Sequence, residues 1–379
     1  MKVKHITSAL LVAAFVASCG GQKTTTPQEL TLKDVVGNQF LIGTALNVRQ
    51  VAGLDTNATN IVKKHFTAIV AENCMKMEEV HPSEDVYDFK DADNFVKFGE
   101  ENGLTMTGHC LIWHSQCPDW FCVDKNGKNV TPEVLKQRMK DHITTVVNHF
   151  KGKLKGWDVV NEAIIEDGSY RKSKFYEILG EEFIPLAFQY AHEADSTIEL
   201  YYNDYGMDNP GRREGVVKLI RSLKEKGLRI DAVGMQGHMG MDYPKIEEFE
   251  KSMLAFANEG VKVMITEWDM SALPTVSHSA NISDTVAFKK ALNPYPDALP
   301  DSVSQTWNAR MKQFFQLFEK HADIVDRVTA WGVTDGDSWK NGFPIKGRKD
   351  YPLLFDRNYQ PKPFITEMIE EMKQENQAQ

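Results

Sequence analysis

Trp157-Asp158-Val159-Val160-Asn161-Glu162-Ala163 is the stretch on which the fold of this chain turns. Gly156 precedes it, and an aromatic residue followed by the β-branched pair Val159 and Val160 suits a strand buried on both faces. The run then stops on an amide and a carboxylate. Burying two such groups at the end of an apolar strand is costly unless they face a site. A solvated Asn-Glu pair in a loop is the plain alternative, and for an isolated pair it is the better reading. Recurrence along the chain argues against it here.

From residue 40 onward, short apolar runs alternate with long amphipathic stretches. The strand candidates are 40–45, 67–73, 105–112, 154–161, 198–203, 232–236, 261–266 and 328–333. Helical patterns lie between them. Thr131 is an N-cap followed by Pro132 at the first helical position, and Leu135, Met139, Ile143 and Val146 continue at helical spacing. Residues 91–101 and 212–226 run into Gly103 and Gly227, which read as helix stops. Residues 308–321 carry Met311, Phe314, Phe315 and Phe318 on one side, a stripe that reads as core packing.

Eight strand-helix units in series predict an α/β fold, a single (β/α)8 barrel whose site lies at the carboxyl ends of the strands. Those ends carry Glu72 and Asn73; His109, Trp113 and His114; Asn161 and Glu162; Asn203 and Asp204; Gln236 and His238; Glu267; and Trp331 with Asp335. Residues 268–304, with Pro274, Pro294, Pro296 and Pro300, form a long loop on that face and read as a substrate-binding segment. No repeat or second module is visible, and the catalytic domain is assigned to 33–376.

The chain has 379 residues, is 42% hydrophobic and carries a net charge of -9, so it has no basic surface for nucleic acid; a neutral polymer suits it better. Met1-Lys2-Val3-Lys4-His5 and the apolar run 9–17 read as a signal peptide over 1–18. Val16-Ala17-Ser18-Cys19 resembles a bacterial lipoprotein cleavage box, which makes Cys19 the lipidated residue and 19–32 a tether. A plain signal peptide with an incidental Cys is the alternative. Either way the protein is expected to be exported, and the anchored form is expected in the outer membrane, attached only through its lipid. The lack of an acidic residue in Gly20-Gly21-Gln22-Lys23 leans towards the periplasmic face over the cell surface. A monomer is expected. Cys74 and Cys110 lie in apolar runs, whereas Cys117 and Cys122 are close enough for a local disulfide, a question the sequence leaves open. With no Cys-x-x-Cys pair and no His-Glu-x-x-His helix, no metal or cofactor is expected. His109 and His114 lack a matching carboxylate-His spacing, so hydrogen-bonding roles are favoured for them over metal ligation.

Glu162 closes the fourth strand and Glu267 the seventh, in Val263-Met264-Ile265-Thr266-Glu267. Two glutamates from opposite parts of one barrel mouth can flank a glycosidic bond, one protonated to assist the leaving oxygen and one ionised to attack. A retaining mechanism asks that they face each other about 5 Å apart. His238 is placed to keep Glu267 ionised, and Asn161 to bond a sugar hydroxyl. Trp113, Trp331 and Trp339 offer flat apolar faces for sugar rings, beside Glu72, Asn73, Lys76 and Gln236. Any one Trp alone is better read as core.

These residues resemble the signatures of glycoside hydrolase family 10, the endo-β-1,4-xylanases. The strand just quoted carries the likeness, with Glu72-Asn73-Cys74-Met75-Lys76, Gly108-His109-Cys110-Leu111-Ile112-Trp113-His114, Tyr202-Asn203-Asp204-Tyr205, Gly234-Met235-Gln236-Gly237-His238, Ile265-Thr266-Glu267 and Trp331-Gly332-Val333-Thr334-Asp335-Gly336-Asp337-Ser338-Trp339. The resemblance spans residues 43–363. It implies a barrel that cleaves xylan and xylo-oligosaccharides with retention, Glu162 as acid/base and Glu267 as nucleophile. It further implies Glu72, Asn73, Lys76, His109, Trp113, Asn161, Gln236, His238, Trp331 and Trp339 on the glycone side, and Tyr205 towards the aglycone. Trp268 stands where Leu is usual, Gly206 where Asn often follows Tyr205, and Cys110 and Cys117 where Thr is common; Gly206 puts aglycone preference in question. Two other readings stay open: hydrolysis of another β-linked glucan, and a glycan-binding lipoprotein that does not cleave.

Overall fold

Eight parallel strands close on themselves: β1 (Leu41–Leu46), β2 (Ala68–Ala71), β3 (Thr105–Trp113), β4 (Gly156–Asn161), β5 (Glu199–Asp204), β6 (Ala232–Met235), β8 (Lys262–Ser271) and β9 (Val325–Ala330). Neighbours pair in chain order, β9 returns to β1, and β6 pairs with β8 to complete the expected barrel. β7 (His238–Gly240) is an extra short strand lying along the outer end of β8, with His238 opposite Asp269. The computed structural model describes residues 29–277 and 280–378. The signal peptide, Cys19 and the tether as far as residue 28 lie outside the described residues.

The chain enters the fold at Thr31, whose main-chain N–H and hydroxyl both donate to Asp34 Oδ2, at 2.7 and 2.6 Å, and start a helix at Leu32–Val36. Leu32 is fully buried, so the end of the segment assigned to the tether is part of the folded domain. The last strand begins at Val325 and stops at Ala330, short of the expected 328–333. Asp326 and Arg327 obscured its start in sequence. Arg327 is buried and reaches across to donate to Thr107 Oγ1 on β3, a polar link that apolar patterning does not reveal. β8 runs past the expected 266 to Ser271 because β7 gives its outer half a partner. The helix after the long loop starts at Asp301, directly after Pro300, and not at 308, and the loop is therefore 272–300. Trp268 points into the helical layer against Phe315, Phe318 and Phe364, away from the strand mouths. Cys74, Cys110, Cys117 and Cys122 are free thiols, so the local disulfide weighed for Cys117 and Cys122 is not formed.

Glycines admit the large side chains that fill the space between strands. Gly108 lies opposite Trp157 in register, and a Cβ there would sit 2.2 Å from Trp157 Cε3. Trp157 is fully enclosed and its strand is paired on both sides, leaving nothing free to move. Gly108→Ala is therefore expected to destabilise by at least the 1–3 kcal/mol typical of an overpacked core, read as a lowered midpoint in thermal unfolding followed by circular dichroism.

Candidate active site

The strand endings converge on one cavity of about 190 Å³. Glu72, Asn73, Lys76, His109, Trp113, Asn161, Glu162, Gln236, His238, Glu267, Trp331 and Trp339 all line it. Tyr205, His114, Asn203, Asp204 and Asp335, also read at this face, are not in its lining; Tyr205 is buried between Arg171 and Arg212, and Asp335 pairs with Lys362.

Glu162 is the first residue past β4 and adopts a left-handed backbone, φ 57°, which swings its side chain back over the strand ends. Its Oε2 accepts from Trp113 Nε1 at 2.9 Å and its Oε1 from Gln236 Nε2 at 3.0 Å. Both donors are neutral. Burial pushes the Glu162 carboxyl up to about 7, the nearby Asp204 charge adds to that push, and the two hydrogen bonds only partly oppose it. Glu267 is buried as well, yet its carboxyl is held below the usual carboxylate value. Burial raises it, but a hydrogen bond and positive charge from His238 outweigh this, helped by His109 and by Asn203. His238 Nε2 lies 3.0 Å from Glu267 Oε2, and Asn203 Nδ2 donates to Oε1 at 2.8 Å.

His238 is itself supported. Burial would neutralise it, but Asp269 and Glu267 raise it to about 9. Its Nδ1 lies 3.0 Å from Asp269 Oδ2, which also accepts from Trp339 Nε1 at 2.7 Å. His109 Nδ1 pairs in the same way with buried Asp158 Oδ2, at 2.9 Å. Neither His109 nor His114 belongs to a cluster of three or more His, Cys, Asp or Glu side chains able to hold a metal, and none occurs among the described residues.

One amide chain links the two carboxylates. Asn161 Oδ1 accepts from Gln236 Nε2 at 3.3 Å and from Asn203 Nδ2 at 3.0 Å, while Thr266 Oγ1 donates to Asn203 Oδ1 at 2.6 Å. At the far end Lys76 is buried, donates to Asn73 and Gln116 at 2.8 Å each, and lies 5.0 Å from the Trp113 ring centre. Several contributors escaped the sequence reading. Gln116 lines the cavity from a turn with no local signature, Ala280 and Ile282 from the long loop, and Asp158 and Asp269 act behind the histidines. Asp158 and Asp269 lie on strands buried along nearly their whole length, so no alternation of apolar and polar residues singled them out.

The profile of Glycosyl hydrolase family 10 matches residues 31–371, nearly all of the described fold. The chain belongs to glycosyl hydrolase family 10. Over 341 residues it is 51% identical to the endo-1,4-β-xylanase A of Xylanibacter ruminicola, covering 89% of this chain and 92% of that one. A β-1,4-xylanase of Dictyoglomus thermophilum is 39% identical, over 89% of this chain and 90% of the relative. A solved GH10 endoxylanase retrieved from sugarcane soil metagenome superposes with a TM-score of 0.87 at 40% identity, over 90% of this chain and 99% of that one.

The family 10 site has a built-in pH window. An acid that must be protonated, raised to about 7, sets the alkaline limb of kcat/KM, and a base held below the usual carboxylate range sets the acid limb. Activity is expected to fall as pH rises through about 7. His238→Asn removes the positive charge beside Glu267, so its acid limb is expected to move to higher pH, checked by pH-rate profiles on a soluble substrate.

Proposed function

We propose that this family 10 hydrolase is an endo-acting β-1,4-xylanase that works with retention, Glu267 as nucleophile and Glu162 as acid/base. The split ionisation of two buried carboxylates in one cavity carries this reading. Protonated Glu162 gives its proton to the glycosidic oxygen as that bond breaks, and a Glu267 oxygen forms the bond to the anomeric carbon. The leaving chain departs with the proton. Glu162, now a carboxylate, takes a proton from water as the water oxygen displaces Glu267 from the sugar, which restores both groups. Two inversions give net retention.

Asn161 spends its carbonyl oxygen on Gln236 and Asn203, so what it offers a sugar is its amide N–H, suited to the 2-hydroxyl oxygen. Trp331 and Trp339 present ring faces to the apolar sides of xylose units, while Glu72, Asn73 and Lys76 hydrogen-bond their edges. The substrates are xylan and xylo-oligosaccharides. The likeness of the leader to a lipoprotein signal supports export and an anchor at Cys19, with the barrel acting as a monomer.

Reducing-sugar release is expected on xylan and not on mannan or cellulose; release from none of them would leave a carbohydrate binder. Glu162→Ala is expected to slow xylan by about 10²-fold or more while sparing aryl xylosides with good leaving groups, and azide should partly restore its turnover. Equal losses on both substrates, with no azide effect, would remove Glu162 from the proton-donor role.

A further inference from the structure

We infer that Arg171 is a positioning residue for proton donation, tying the main chain of Glu162 to the Tyr205 ring on the leaving-group side. The inference rests on Glu162 being the acid/base, and it concerns how that group is held.

Glu162 has a left-handed backbone conformation that side-chain-bearing residues adopt uncommonly. Two main-chain bonds oppose its relaxation. The Glu162 N–H donates to Asn203 O at 2.9 Å, and the Glu162 carbonyl accepts from Arg171 Nε at 2.8 Å. β4 ends at Asn161, so that carbonyl lies beyond the strand and depends on a side chain for its partner. Arg171 closes the excursion that follows, where Ile164 bridges Tyr170 and the Arg171 N–H donates to Ala163 O at 2.8 Å.

The other end of the same guanidinium donates from Nη2 to Tyr205 Oη at 3.0 Å. Tyr205 cannot yield. Arg212 lies 4.4 Å from its ring centre and donates from Nη1 to its carbonyl at 2.6 Å. Gly206 makes room for that contact, since a Cβ there would stand 2.5 Å from Arg212 Nη1. The glycine that replaces a side chain on the aglycone side thus admits a second arginine, which fixes the anchor that Arg171 pulls against. A planar fork with separate donors can span two fixed acceptors; a lysine ammonium reaches one at a time.

Loss of this tie frees the Glu162 backbone, and its carboxyl no longer points at the leaving oxygen. Proton donation in the first step and water activation in the second both then suffer, and kcat/KM, which reports the first step, isolates the proton donation. Arg171→Met and Arg171→Lys in the full mature chain test this with kcat/KM on a xylo-oligosaccharide and on dinitrophenyl β-xylobioside, whose leaving group departs without protonation. Arg171→Met is expected to lose on the order of 10²-fold on the oligosaccharide, the size of a general-acid contribution, and several-fold less on the aryl substrate. Arg171→Lys is expected to recover part of the oligosaccharide rate, and it serves as the test if the Met variant does not fold. Equal losses on both substrates, or no loss on the oligosaccharide, would overturn the inference. A wild-type protein inert on both substrates would refute the proposed function instead.

Discussion

Glu162 and Glu267 are buried alike and differ in what faces them, and that difference sustains the chemistry. An indole and an amide stabilise a carboxylate less than an imidazolium does, and Asp204 adds a like charge on the Glu162 side only. Glu267 faces His238, and His238 stays cationic because Asp269 stands behind it. Removing one member of such a buried set leaves an uncompensated charge, typically a cost of about 3–5 kcal/mol. Trp339 is part of this support as well as of the cleft wall, because its N–H bonds the same Asp269 oxygen that His238 uses.

Strand periodicity builds the triad with little added machinery. Side chains two apart on a strand share a face, so Glu267 and Asp269 point to one side of β8 and Trp268 to the other. The pairing of β7 with β8 then sets His238 opposite Asp269, from where its two ring nitrogens reach both carboxylates. The short strand β7 therefore positions the histidine by register. Trp268 packs in the helical layer against Phe315, Phe318 and Phe364, on the face of β8 opposite the reactive carboxylates.

All eight barrel strands were legible in the sequence as apolar runs, and seven of them by a polar or aromatic ending as well. The strand starting at Val325 was displaced in the reading because buried Arg327 makes its first half look like loop. His238–Gly240 is too short for any periodicity to register. Site residues at strand ends were legible for the same reason as the strands. Gln116, Ala280 and Ile282 were not, since they come from irregular backbone whose position depends on tertiary contacts. Arg171 shows the same limit: its partners are a carbonyl and a phenol that become neighbours only once β4 and β5 pair.

The long segment 272–300 keeps its place at the cleft by bonding to another loop. Ala272 N donates to Asp350 Oδ1 at 3.0 Å, Val286 N to Pro344 O at 2.8 Å, and Tyr351 Oη to Tyr295 O at 2.6 Å. Phe343, beside the Val286 anchor, stacks on Trp339 with ring centres 4.8 Å apart. A change in this pair of loops would therefore reach the sugar-facing Trp339 and the apolar wall at Ala280 and Ile282 before it reached the carboxylates. Glu162 and Glu267 belong to paired strand ends, where a shift of one residue would turn every side chain to the opposite face. The geometry of bond breaking is thus held by the barrel, while the shape of the cleft that selects a polymer is held by loops that can vary without disturbing it.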